Sequence, residues 1–117
     1  MKSIAVLGLG KVGHLAAELL HEADFQVYGY DLRRPANDPK FPVNILDTSS
    51  EAELGKAFAN VDAVLSCLPY HLNKGVANAA HKAGIHYFDL TEDVPTTNHI
   101  RELAKTSKGL MAPQCGL

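Results

Sequence analysis

Three glycines in the pattern Gly8-Leu9-Gly10-Lys11-Val12-Gly13 are the residues with the clearest chemical use in this chain. Gly8 permits a tight turn. Gly10 lets backbone come close to a pyrophosphate. Gly13 lets a helix lie close on a sheet. The amides of the following helix's first turn, at Lys11, Val12 and Gly13, then point at phosphate oxygens, and the helix dipole favours the same anion. The glycine pattern alone is common, and a purely structural turn is the plain alternative. Its setting makes it specific: an apolar run, Ile4 to Leu7, precedes it, an amphipathic repeat follows, and an acidic residue closes the next strand.

That acidic residue is Asp31, 23 positions after Gly8. A carboxylate there accepts hydrogen bonds from the adenosine ribose hydroxyls and repels a 2'-phosphate, which favours NAD. Arg33 and Arg34 pull toward NADP, because guanidinium forks suit phosphate. Leu32 and Arg33 belong to the same candidate surface. Asp47 either meets the adenine amino group or serves only as a turn residue. Ser66, Cys67, Leu68, Pro69 and Tyr70 follow the fourth apolar run. Ser66, Leu68 and Pro69 are candidates to pass beneath the nicotinamide ribose and pyrophosphate. Cys67 is a candidate contact too, although a small residue in a packed strand is the simpler account.

Hydride transfer is chiefly a cofactor's chemistry, so the protein supplies position and a proton path. Tyr70, His71, Asp89, Glu92 and Asp93 are the possible proton carriers; Asp and Thr after a strand are equally good caps and turns. The catalytic residue stays unassigned. The six histidines make no metal set. His81 and His86 fall on a helix and the next strand, while His14, His21 and His99 read as surface or satisfied side chains. HExxH, GxSxG and Cys-x-x-Cys are absent, as is the Gly-Lys-Ser/Thr ending of a triphosphate loop.

These residues need a scaffold, and the chain alternates two periods that supply one. Strands are expected at 4–7, 25–31, 43–46, 62–68, 85–89 and 110–112. Helices are expected from Lys11 to about Ala23, after Ser50, from His71 to Ala83, and from about Pro95 to Ser107. Val12, Leu15, Ala16, Leu19 and Leu20 form the expected apolar face of the first helix. Thr48 with Glu51 and Ser50 with Glu53 both have capping-box spacing. Pro35, Pro39 and Pro42 argue against a helix in the second crossover. The fold class is therefore α/β: a Rossmann-type α/β/α sandwich with about six parallel strands in order 3-2-1-4-5-6. Its crevice lies between the first and fourth strands.

At 117 residues the chain is one domain long, and 46% apolar content supports an ordinary core. A formal charge of -2 gives no support to nucleic-acid binding. Two distant cysteines, Cys67 and Cys115, make no disulfide framework, and no apolar run is long enough to span a bilayer. A cytoplasmic protein without a membrane partner is the expectation.

The sequence resembles the amino-terminal NAD(P)-binding domain of the saccharopine dehydrogenase/reductase-like family, which includes lysine-6-dehydrogenase and carboxynorspermidine dehydrogenase relatives. The resemblance runs over essentially the whole chain. It rests on Ile4 to Gly13, Val64 to His71, Tyr87 to Glu92 and Met111 to Leu117. It implies an oxidoreductase acting on carbon-nitrogen bonds of amino acids through an imine. By the same resemblance Gly8, Gly10 and Gly13 hold pyrophosphate and Asp31 the ribose. Ser66, Leu68 and Pro69 would lie under the nicotinamide end, and Asp89 to Glu92 would line the cleft. Because relatives continue past Cys115-Gly116-Leu117, the resemblance implies a domain cut from a longer enzyme, without its carboxy-terminal substrate domain and inactive alone. A homodimer is a further possible partner state. Two other readings stand beside this one: an NAD-sensing regulatory module, and the cofactor domain of a semialdehyde or homoserine dehydrogenase.

Overall fold

A computed structural model describes residues 2–35 and 39–114. The strands are β1 (Ser3–Leu7), β2 (Gln26–Asp31), β3 (Val43–Ile45), β4 (Ala63–Ser66), β5 (His86–Asp89) and β6 (Met111–Ala112). The helices are α1 (Lys11–Glu22), α2 (Glu51–Phe58), α3 (Tyr70–Ala83) and α4 (Val94–Ala104). All strands pair in parallel, in the order β3-β2-β1-β4-β5-β6. The order reverses between β1 and β4, as the alternating periods predict.

Every residue of β1 is buried, because a central parallel strand is covered on both faces. On one face Leu54 and Phe58 of α2, Val76 and Ala80 of α3, and Ile100 of α4 pack with Ala5, Leu7, Val64 and Tyr87. On the other, Ala17 of α1 and Phe41 pack with Ile4, Val6, Val27 and Ala63. Full burial of a side chain such as Leu54 or Phe58 is worth roughly 1.5–3 kcal/mol.

Local chemistry sets the element ends. Of the two possible capping boxes, Ser50 is used: its hydroxyl accepts from Glu53 N at 3.3 Å. Asp93 caps α4, with Pro95 in the first turn. α4 stops at Ala104, short of the expected Ser107, because Thr106 and Ser107 turn their hydroxyls back onto the Leu103 and Ala104 carbonyls. Asp62 Oδ2 accepts from Lys2 N at 2.8 Å and Ser3 N at 3.1 Å, tying the start of β1 to the residue before β4.

The expected inner face of α1 needs correction. Gly13 and Ala17 are buried and Leu20, as expected, packs against the core beside them, whereas Val12, Leu15 and Leu19 are 57–60% exposed. Small residues let this helix sit close to the sheet, so the larger apolar side chains on the neighbouring stripe point outward. Among the described residues the β2–β3 connection holds no helix, as its prolines predict. Cys115, Gly116 and Leu117 lie outside the described residues. No described helix is long and apolar enough to cross a membrane.

Candidate functional site: the glycine bend and the sheet's carboxyl edge

Gly8 follows β1 directly and takes φ +85°, in the region that L side chains rarely adopt. Its amide donates to Tyr30 O at 2.9 Å. Gly13 is demanded by proximity: a Cβ there would lie 1.7 Å from Gly8 O and 3.2 Å from Cys67 Cβ. Gly10 is the opposite case. It is the N-cap of α1, and a Cβ placed on it meets nothing within 4 Å. The bend therefore presents open space at its middle glycine. Just beyond lie the Lys11, Val12 and Gly13 amides, which have no partner within the helix ladder.

Asp31 closes the bend from the side. Its Oδ2 accepts Leu9 N and its Oδ1 accepts Leu32 N, both at 2.7 Å. Leu9 is itself buried, with its side chain over Gly29. Thus the acid at the end of β2 grips the glycine bend by its backbone. Leu32 and Arg33 are exposed beside it, and Arg34 reaches Val43 O at 3.5 Å. Asp47 accepts from Ser49 N at 3.0 Å and from Ser49 Oγ, which hold its carboxyl below the usual carboxylate range. These bonds make it a turn residue whatever else it meets.

A cleft of about 550 Å³ opens at the carboxyl edge of the sheet, over the ends of β4 and β5 and beside the start of α1. Val12, Cys67, Leu68 and Tyr70 line it on one side, and Leu90, Thr91, Glu92 and Asp93 on the other. A second hollow of about 380 Å³ lies across the bend, lined by Leu9, Gly10, Lys11, His14, Leu15, Glu18 and Pro35. The two share the glycine bend as a ridge. Among the described residues no cluster of side chains could hold a metal ion.

The loop after β4 divides its candidates. Ser66 is fully buried, and its hydroxyl donates to Asn73 Oδ1 at 2.5 Å, so that side chain is spent inside the protein. Cys67 and Leu68 reach the cleft, while Pro69 is the N-cap residue of α3. Burial pushes the Cys67 thiol up to about 11, which favours the protonated form of this half-buried wall residue.

Two of the candidate proton carriers take the turn and cap roles that their positions also offered. Asp89 does not line the cleft as a proton carrier. It is wholly buried and accepts from Tyr87 Oη, Thr91 N and Gln114 N. Asp93 caps α4 through Thr96 N and Oγ1, which lower its carboxyl. His14 is not simply satisfied either: Nδ1 faces Glu18 at 3.6 Å, and buried Nε2 has no hydrogen-bond partner among the described residues. His99 does find one, Asn78 Oδ1 at 2.8 Å. Sequence reading missed Asn73 and Tyr87. The strand period offered a signal for Tyr87, since it shares a face with Asp89 two residues on.

A parallel sheet in this order, with a glycine bend at the reversal and an acid at the end of β2, defines a Rossmann-type dinucleotide-binding fold. Within that class, residues 4–112 match the saccharopine dehydrogenase NADP binding domain, and the chain belongs to that family. Pyrrolysine synthase of Methanosarcina barkeri is 37% identical over an 81-residue alignment, which covers 56% of this chain and 31% of that protein. Saccharopine dehydrogenase (L-Glu forming) of Saccharomyces cerevisiae superposes with TM-score 0.78 at 21% identity, over 100% of this chain and 28% of that one. A short-chain dehydrogenase/reductase superfamily protein from Agrobacterium tumefaciens, with bound NAD, gives TM-score 0.75 at 18% identity, over 95% and 48% of the two chains. The chain thus spans less than a third of the first two of these proteins.

Proposed function

We propose that the chain holds a nicotinamide dinucleotide across the glycine bend, as the cofactor half of an oxidoreductase acting on carbon-nitrogen bonds of amino acids. The observation that carries this is the contrast within the bend. Gly13 is sealed against Gly8, while the Cβ position of Gly10 is open. That combination leaves backbone amides bare at a helix start. Lys11, Val12 and Gly13 would donate to the pyrophosphate. The adenosine half would lie toward Asp31, Leu32, Arg33 and Asp47, and the nicotinamide half in the cleft over Cys67, Leu68 and Pro69.

When bound, the nicotinamide supplies hydride exchange with the carbon that bears the substrate nitrogen. The chain's own residues do the positioning. Val12, Cys67 and Leu68 give that cleft an apolar floor that limits water near the ring. Tyr70 and Glu92, both exposed at the lip, are the groups placed to hold a proton at its edge. The Asp31 carboxylate favours NAD. Exposed Arg33, and a family described by NADP binding, favour the second reading, NADP. We place the substrate pocket in a further domain, for which the greater length of the similar proteins is the support.

Calorimetric titration with NAD(H) and NADP(H) tests the reading. Saturable one-to-one binding of either pair is expected, and absence of binding to all four refutes it. The carbon-nitrogen chemistry is tested in the full-length enzyme by amino-acid-dependent reduction of the cofactor.

A further inference from the structure

The β5–β6 end of the sheet carries a buried carboxylate with no part in the binding just described. Asp89, the last residue of β5, is fully enclosed. Its Oδ2 accepts Tyr87 Oη at 2.5 Å. Its Oδ1 accepts two backbone amides, Thr91 N and Gln114 N, each at 3.0 Å. A carboxylate is tolerated in such a place only when its lone pairs are met by donors.

The two amides come from separate parts of the chain. Thr91 belongs to the cleft wall. Its Oγ1 accepts Asp93 N at 3.1 Å, and Asp93 caps α4, so this wall is braced as one piece. Gln114 lies two residues past β6 at φ +60°, a backbone region uncommon for a residue with a side chain. A turn carboxylate needs only the Thr91 amide. The second amide, 25 residues away in sequence, makes Asp89 a joint between the cleft wall and the segment that leaves the sheet.

We propose that Asp89 is a positioning residue: its shared oxygen sets the place of the 90–93 wall against the post-β6 segment, and thereby the width of the cleft at its nicotinamide end. This rests on the dinucleotide reading above. Asp89 touches no ligand in this account. It acts through the wall, so it influences the nicotinamide half of the dinucleotide and leaves the adenosine half alone.

Two variants test it. Asp89→Asn replaces one acceptor oxygen with a donor, and Tyr87→Phe removes the phenol and leaves the carboxylate. Binding is measured for the tighter of NADH and NADPH, and for the matching fragment without nicotinamide, ADP-ribose or its 2'-phosphate. The expected result for Asp89→Asn is about tenfold weaker binding of the dinucleotide, with the fragment changed less than about twofold. Tyr87→Phe should shift in the same direction by a smaller factor. A folded variant that weakens both ligands alike, or neither, overturns the proposal. If Asp89→Asn does not fold, Tyr87→Phe is read by the same criterion. Failure of both to fold also overturns it, by making the carboxylate a requirement of the fold. Wild-type protein that binds no dinucleotide fails earlier and separately, at the proposed function.

Discussion

Replacing Gly10 and Gly13 separately with alanine should divide binding from folding. In Gly13→Ala the new Cβ starts 1.7 Å from Gly8 O, and the atoms must part by about 1.3 Å merely to reach 3.0 Å, a limit real Cβ atoms essentially never cross. The atom met is the Gly8 carbonyl of the backbone, so no side chain can swing aside, and α1 must lift from the sheet. Overpacking of this kind costs about 3 kcal/mol or more. For a chain of this size that lowers the thermal midpoint by roughly 10 °C or more. In Gly10→Ala the Cβ meets nothing within 4 Å, and φ −69° suits alanine. Loss of a good N-cap residue costs about 0.5 kcal/mol, a shift of roughly 2–4 °C. The methyl nevertheless occupies the open space assigned to a pyrophosphate under the proposed function. Losing one or two charge-assisted amide bonds weakens binding by roughly ten- to a hundredfold. Scanning calorimetry and titration with NAD(P)H read both effects. Wild-type affinity in Gly10→Ala, or wild-type stability in Gly13→Ala, would refute the account of the bend.

Asp31→Ala should lose stability as well as affinity, because Leu9 N and Leu32 N lose their acceptor; its NAD affinity should fall more than its NADP affinity, and an unchanged ratio in paired titrations would remove Asp31 from cofactor choice. Cys67, with its thiol raised to about 11, should react with iodoacetamide at pH 7.5 more slowly than in the denatured chain; equal labelling rates of its peptide by mass spectrometry would contradict the raised value. Asp62 is held below its ordinary value of 3.8, first by the Lys2 amide and then by the Ser3 amide. The folded state thus binds that proton less readily than the unfolded chain. The contribution is complete above about pH 4 and fades as pH falls through the lowered value. Asp62→Asn should flatten the acid limb of the midpoint-against-pH curve, and an unaltered limb would show that the latch is idle.

Much of the scaffold was legible because its signals are local. Glycines set between an apolar run and a helical repeat, prolines across the second crossover, and a Ser50–Glu53 box each dictate backbone behaviour within a few residues. The strand order followed from the alternation of periods and the handedness of crossovers. What escaped reading depends on packing over distance. The apolar spacing of α1 marked a stripe but not which edge faces the sheet. Gly13 and Ala17 win that place because they allow close approach, not because they are the most apolar. The Asp89 joint was hidden because its second amide comes from Gln114, far along the chain. Ser66 looked like a cleft residue by position, but Asn73 on α3 takes its hydroxyl. Of the residues proposed for the adenosine side, Leu32 and Arg33 follow Asp31 at the end of β2, while Asp47 lies after β3.

The two bonds that Asp31 makes to Leu9 and Leu32 have a consequence for redesign. Cofactor preference in such folds is commonly treated as a dial turned at this one acid. On the proposed reading, the acid that would turn this dial is also a fastener. Exchanging it for a neutral residue would remove the acceptor of the Leu9 and Leu32 amides and slacken the loop proposed to meet the diphosphate. A workable swap needs a replacement acceptor for the Leu9 amide, introduced together with the new cationic contact.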